Sequence, residues 1–112
     1  MRLVTIATLT AMFCVSCLLG CASPSEEQCR QACLNRAKLA HDHKWELEIT
    51  AAPESERAAI RDRKVADWQD VLENPERGLD ACIGACTRPG RQSLVDCLLA
   101  SKTLEQAREC ED

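Results

Sequence analysis

Polar and apolar positions divide the chain into an uncharged opening and a series of charged, helix-forming runs. From Leu3 to Gly20 no residue is charged. From Glu26 to Thr50 the run EEQCRQACLNRAKLAHDHKWELEIT contains no Gly or Pro. It is rich in helix formers and predicts one helix, about 24–51. Ser23-Pro24-Ser25-Glu26 supplies a start, with Ser23 as cap, Pro24 in the first turn and Glu26 closing a capping box. Ala51-Ala52-Pro53 ends that helix, and ESERAAIRDRKVADWQDVLE predicts a second. Asn74-Pro75 marks a boundary, because a residue before proline avoids the helical region. Asn74 is placed to cap a third helix through PERGLDACIGACT, weakened by Gly78 and Gly84. Arg88-Pro89-Gly90 reads as a turn, RQSLVDCLLA as a short helix, and Thr103 with Gln106 as the capping box of a last helix to Cys110. No alternating run argues for a strand. The fold class expected is all-α.

Spacing predicts which faces are buried. Stepping back from Cys86 by three and four gives Cys82, Leu79, Pro75, Leu72, Trp68, Val65, Arg61 and Ala58, a mostly apolar stripe that keeps phase across Asn74-Pro75. The comparable face of the first helix is Cys29, Cys33, Ala37, Ala40, Lys44, Leu47 and Ala51, with small residues that permit close approach. The two arms are unequal. Cys33 to Pro53 spans roughly 30 Å of helix and Pro53 to Cys82 roughly 44 Å. The expected remedy is a break at Asn74-Pro75 together with a turn of several residues around 52–56.

The uncharged opening has its own pattern. Arg2 precedes LVTIATLTAMFCVSCLLG, an apolar run diluted by small residues, as in a secretory signal. A run of about 18 uncharged residues is also long enough to span a bilayer. Its end, Leu18-Leu19-Gly20-Cys21, resembles the lipobox of bacterial lipoproteins. That resemblance implies cleavage before Cys21, with residues 1–20 as a removed signal peptide, and acylation of Cys21. Acyl chains such as palmitate hold a protein on a membrane at roughly 0.8 kcal/mol per buried CH₂. It further implies handling by lipoprotein-processing and sorting machinery. Ala22, rather than Asp, follows the cysteine, which implies the outer membrane, facing the periplasm.

Cysteine usage agrees with export. The chain has 9 cysteines in 112 residues. Cys14 and Cys17 leave with the signal and Cys21 carries lipid, so six remain: Cys29, Cys33, Cys82, Cys86, Cys97 and Cys110. An even number in an oxidising compartment suits a disulfide framework. The segments expected are a tether at 21–25 and a cysteine-stapled helical domain at 26–112. Removing residues 1–20 from 112 leaves 92, with 13 basic and 18 acidic side chains. An acidic chain without a basic stripe is not expected to bind nucleic acid. A core this small usually needs staples.

Cys29-x-x-x-Cys33 and Cys82-x-x-x-Cys86 each place two thiols on one helix face. Antiparallel helices then pair outer with inner, Cys29–Cys86 and Cys33–Cys82, which leaves Cys97–Cys110. Six cysteines allow 15 connectivities. The pattern resembles the twin C-x₃-C hairpins of small mitochondrial intermembrane-space chaperones, but 48 residues separate Cys33 from Cys82, far more than those hairpins use. The tail DCLLASKTLEQAREC is similar to tails of short cysteine-rich bacterial lipoproteins. The architecture expected is therefore a disulfide-stapled antiparallel helical hairpin plus a short C-terminal helix pair.

Other chemistry is sparse. His41-Asp42-His43 looks like a ligand cluster, but residues two apart on a helix point roughly 200° apart, so a solvated face is expected. Trp68 lies on the stripe and is expected to pack in the core, while Trp45 lies off it as a possible surface contact. No haem, phosphate-loop, nucleophile-elbow or H-E-x-x-H motif occurs. The function expected is a non-enzymatic, lipid-anchored envelope protein with no cofactor and no metal site. Its role is structural or protein-binding, toward an envelope partner that the residues do not name. Two rivals stand beside it: metal or redox handling by Cys29, Cys33, Cys82 and Cys86, and a small periplasmic chaperone or inhibitor.

Overall fold

The computed structural model describes residues 23–112. Cys14, Cys17, Cys21 and the rest of the signal and lipobox stretch lie outside the described residues. Five α-helices follow in order: α1 (Glu26–Ala51), α2 (Glu54–Glu73), α3 (Leu79–Cys86), α4 (Gln92–Ala100) and α5 (Leu104–Glu109), with a 3-10 turn at Pro75–Arg77. No strand forms among the described residues. None of these helices is long and apolar enough to cross a membrane.

The cap of α1 lies two residues later than Ser23. Ser25 Oγ accepts from the Gln28 N–H at 3.1 Å, and Gln28 Oε1 accepts from the Ser25 N–H at 3.2 Å. Ser25-Glu-Glu-Gln28 has the same capping-box spacing as Ser23–Glu26, and the reciprocal pair forms there. At the other end only Ala52 and Pro53 separate α1 from α2. The turn is tighter than the expected 52–56, because both residues are extended and reverse the chain at once. Arg57 Nε donates to the Ala52 carbonyl at 3.1 Å and ties the corner.

The arm mismatch is resolved at Asn74–Gly78. Eighteen residues from Cys33 to Ala51 rise roughly 27 Å, and the 20 residues of α2 rise about as far. By Glu73 the returning arm has therefore regained the level of Cys33. Residues 74–78 step the chain sideways, and α3 runs on beside α1. Asn74 closes α2 and caps nothing ahead of it: Nδ2 donates to the Asp70 carbonyl at 3.0 Å and to Asp70 Oδ1 at 2.8 Å. The helix expected through PERGLDACIGACT is accordingly split into the 3-10 turn and α3. The Arg88-Pro89-Gly90 turn forms as expected, with Gly90 at φ +80°, the left-handed value that the third residue of a type II turn requires.

Two cores result. The larger holds Cys29, Ala32, Cys33, Ile83, Cys86, Val95, Leu98 and Ala107, so α3, α4 and α5 all close on the first half of α1. The smaller, at the hairpin corner, holds Trp45, Ile49 and Ile60. The predicted faces are partly wrong. On α1 the covered row runs in steps of four through buried Cys29 and Cys33, half-buried Ala37, and buried His41, Trp45 and Ile49, while Lys44, Leu47 and Ala51 are exposed. A row of four drifts about 40° per step. It stays buried because different neighbours cover the two halves, α3–α5 first and α2 later. On α2, Ala58, Arg61, Val65 and Leu72 face solvent, whereas Ile60 is buried and Lys64, Asp67, Trp68 and Val71 are half-buried. Only the α3 end of the stripe, Leu79, Cys82 and Cys86, packs in the core.

Candidate functional site

Three disulfides organise the molecule. Cys29 is bonded to Cys86, Cys33 to Cys82 and Cys97 to Cys110. The Cα atoms are 5.7, 6.0 and 5.8 Å apart, all within ordinary disulfide spacing. The first two form adjacent rungs between α1 and α3, because each helix offers its pair one turn apart. The third closes the α4–α5 corner, where Ser101 Oγ donates to the Cys97 carbonyl at 2.9 Å. Thr103 caps α5 by accepting from the Gln106 N–H at 3.2 Å, while Gln106 Oε1 reaches past it to the Lys102 N–H at 2.8 Å. With all four sulfurs of the α1–α3 quartet spent in bridges, none is a thiolate. Holding zinc or exchanging electrons there requires both rungs to be reduced first.

Polar groups knit the C-terminal pair to α1. Asn35 Nδ2 donates to the Leu98 carbonyl at 2.7 Å and the Ser101 carbonyl at 3.0 Å, so one side chain satisfies two groups at the end of α4. Arg36 forks onto Glu111, with Nη2 to Oε2 at 3.1 Å and Nε to Oε1 as the second contact. The Glu111 hydrogen bond raises the Arg36 pKa against the opposing effect of burial. Neither Asn35 nor Arg36 is marked by a sequence motif, since their partners lie more than 60 residues away.

The sideways step at Asn74–Gly78 opens a cleft of about 280 Å³. Its walls are Ala37, Val71, Leu79 and the Cys33–Cys82 bridge, and Arg36 and Arg77 stand at its rim. Arg77 is already paired, with Nη1 2.7 Å from Asp70 Oδ2.

The second polar cluster lies midway along the hairpin. His41, expected on a solvated face, is buried to 8% exposure, as is Trp45 to 7%. His43 is exposed, so the two imidazoles diverge as the helix requires. His41 Nε2 lies 3.1 Å from Asp67 Oδ2, and Nδ1 lies 3.8 Å from Asp42 Oδ1. Both nitrogens are buried and neither makes a well-aligned hydrogen bond; Asp67 approaches from α2, and Asp42 is the next residue on α1 itself. The His41 ring sits 6.1 Å from Trp45 and 5.2 Å from Trp68. Lys38 lies over the Trp68 ring at 5.0 Å.

Two carboxylates are tuned here. The Trp45 indole, donating to Asp67 Oδ2 at 3.0 Å, holds the Asp67 carboxyl below the usual range, against burial and with help from Lys44 and His41. Burial pushes Asp42 up, but Lys38 at 2.8 Å and Lys64 at 3.2 Å together bring it below its ordinary value. Around His41 stand two indole rings and two carboxylates. The cluster joins α1 to α2. Its sequence signal was the row of four through Cys33, Ala37, His41 and Trp45, not the His41-Asp42-His43 tripeptide.

Among the described residues no group of three or more His, Cys, Asp or Glu side chains is placed to hold a metal ion. No family model matches the chain, and no curated protein or solved structure is significantly similar to it.

Proposed function

We propose that the chain is a lipid-anchored protein of the cell envelope, acylated on Cys21 and carrying a rigid helical head with a structural or protein-binding role. The observation that carries this reading is the pairing of six cysteines, Cys29 through Cys110, in three bridges. Such a density of structural disulfides belongs to compartments outside a reducing cytosol. The opening segment supplies a matching address, because Leu18-Leu19-Gly20-Cys21 closes an uncharged run after Arg2. Lipid on Cys21 leaves the stapled domain a short tether from the membrane, and Ala22 favours sorting to the outer membrane, on the periplasmic side. The processing enzymes and an envelope protein met by the head are its partners.

The test is metabolic labelling with palmitate. The wild-type chain incorporates label into the membrane fraction, and Cys21→Ser abolishes incorporation. Equal labelling of the two chains removes the anchor from the account.

A further inference from the structure

The outward half of the predicted stripe remains without a partner among the described residues. Val65 is 63% exposed and Leu72 is 41% exposed. Ala58, Val65 and Leu72 recur every seven residues, which places them within about 20° of one line along α2. Arg61 and Trp68 flank that line on the side nearer α1. The apolar strip also continues off the helix, because Trp68 and Leu72 share a shallow depression with Leu34 and with Leu99, itself 46% exposed.

This face complements itself when turned end for end. Ala58 and Leu72 lie equally far from Val65 in opposite directions. A two-fold axis at Val65 sets the small Ala58 of one helix against the large Leu72 of the other, twice. The same operation brings Arg61 to the Trp68 ring of the second copy, a cation–π arrangement. Charge points the same way. Residues 54–64 carry four basic and three acidic side chains, and residues 65–77 carry one basic and four acidic. End-for-end pairing joins the +1 half of each chain to the −3 half of the other, whereas parallel pairing stacks like on like. Arg61 and Glu73 form no ion pair among the described residues.

We propose that the chain binds a second copy of itself through the outer face of α2, antiparallel, with Val65 at the two-fold axis. The interface is isologous, each copy using the same patch. A helix roughly 30 Å long and 10 Å wide covers well under the about 800 Å² per partner of a stable standard-size interface. The pairing is therefore reversible and concentration-dependent.

Cysteine cross-linking of the detergent-purified full chain tests it. Val65→Cys treated with a short bis-maleimide gives a covalent product of twice the chain mass, absent from the wild-type chain. Adding Leu72→Glu lowers its yield at least tenfold. Arg63→Cys, exposed but about 160° round the helix, gives none. As a second measurement, differently tagged chains carrying Ala58→Cys and Leu72→Cys are mixed. They cross-link to each other, and neither cross-links to itself. The proposal is overturned if Val65→Cys yields no more dimer than Arg63→Cys. It is equally overturned if the adduct has a mass other than twice the chain, or if the mixed pair cross-links no better than like with like.

Discussion

Trp45 and Asp67 meet across the hairpin, the indole Nε1 donating to Oδ2 at 3.0 Å. The contact joins the last third of α1 to the second half of α2 and makes Asp67 an acid-sensitive element. Its carboxyl is held low in the folded chain, chiefly by Trp45. A depressed carboxyl adds stability that is present in full above the unfolded value of about 3.9. That stability is lost as the pH falls from there through the folded value. Trp45→Phe should cost about 1 kcal/mol at neutral pH, at the modest end because Asp67 keeps some access to water. It should also flatten the acid limb, because Asp67 then gains its proton at nearly the same pH folded and unfolded, and the gap to wild type should close as the pH falls. Urea unfolding from pH 2 to pH 7 reads both effects, and an unchanged acid limb separates Trp45 from the titration.

Asn35 performs for α4 what a capping residue performs locally. Asn35→Ala removes the side-chain donor to the Ser101 carbonyl and leaves the Leu98 carbonyl with only the Ser101 N–H, at 3.3 Å, and should cost about 1–2 kcal/mol. Asn35→Asp should cost more, since an acceptor then faces two carbonyl oxygens. Chemical denaturation of the oxidised proteins orders the three, and an Asp variant as stable as wild type contradicts the assignment.

The two rungs between α1 and α3 are not independent. With Cys29–Cys86 intact, losing Cys33–Cys82 opens an effective ring of only about ten residues, worth roughly 2.5 kcal/mol in the chain-entropy account. Losing the second rung then frees a loop of 57 residues, worth about 4 kcal/mol. Paired Cys→Ser variants should therefore show a combined loss larger than the sum of the two single losses. Strict additivity in unfolding free energy counts against the adjacent-rung geometry.

Exposure sets the order of reduction. Cys29, Cys33 and Cys86 are buried to 0%, 2% and 4%, while Cys97 is exposed and Cys110 half-buried. Under limiting reductant, Cys97–Cys110 should open first and become alkylated before either rung. Peptide mapping after a timed quench reads the order, and early alkylation of Cys29 contradicts it.

The features legible in the sequence were those fixed by local chemistry. Pro53, Asn74-Pro75 and Arg88-Pro89-Gly90 each punctuate the chain through their own backbone restrictions, and all three are boundaries in the structure. The i, i+4 cysteines declared a shared face on each helix in the same way. The face of α2 was not legible. Ala58, Val65 and Leu72 imitate a core stripe, but the level of α2 against α1 is set by Trp45, His41 and Lys64, whose partners are contributed by the other helix. His41 was misread for the same reason, because Asp67 lies 26 residues away and no local pattern joins them. Between two adequate capping boxes, Ser23–Glu26 and Ser25–Gln28, sequence spacing alone offered no choice.

Intact-mass analysis of the protein purified from the envelope without reduction tests the central claim most directly. The account predicts a chain beginning at Cys21, heavier by its acyl groups and lighter by six protons for three disulfides. A chain that retains residues 1–20, an unmodified Cys21, or cysteines from Cys29 to Cys110 that alkylate without reduction would contradict it.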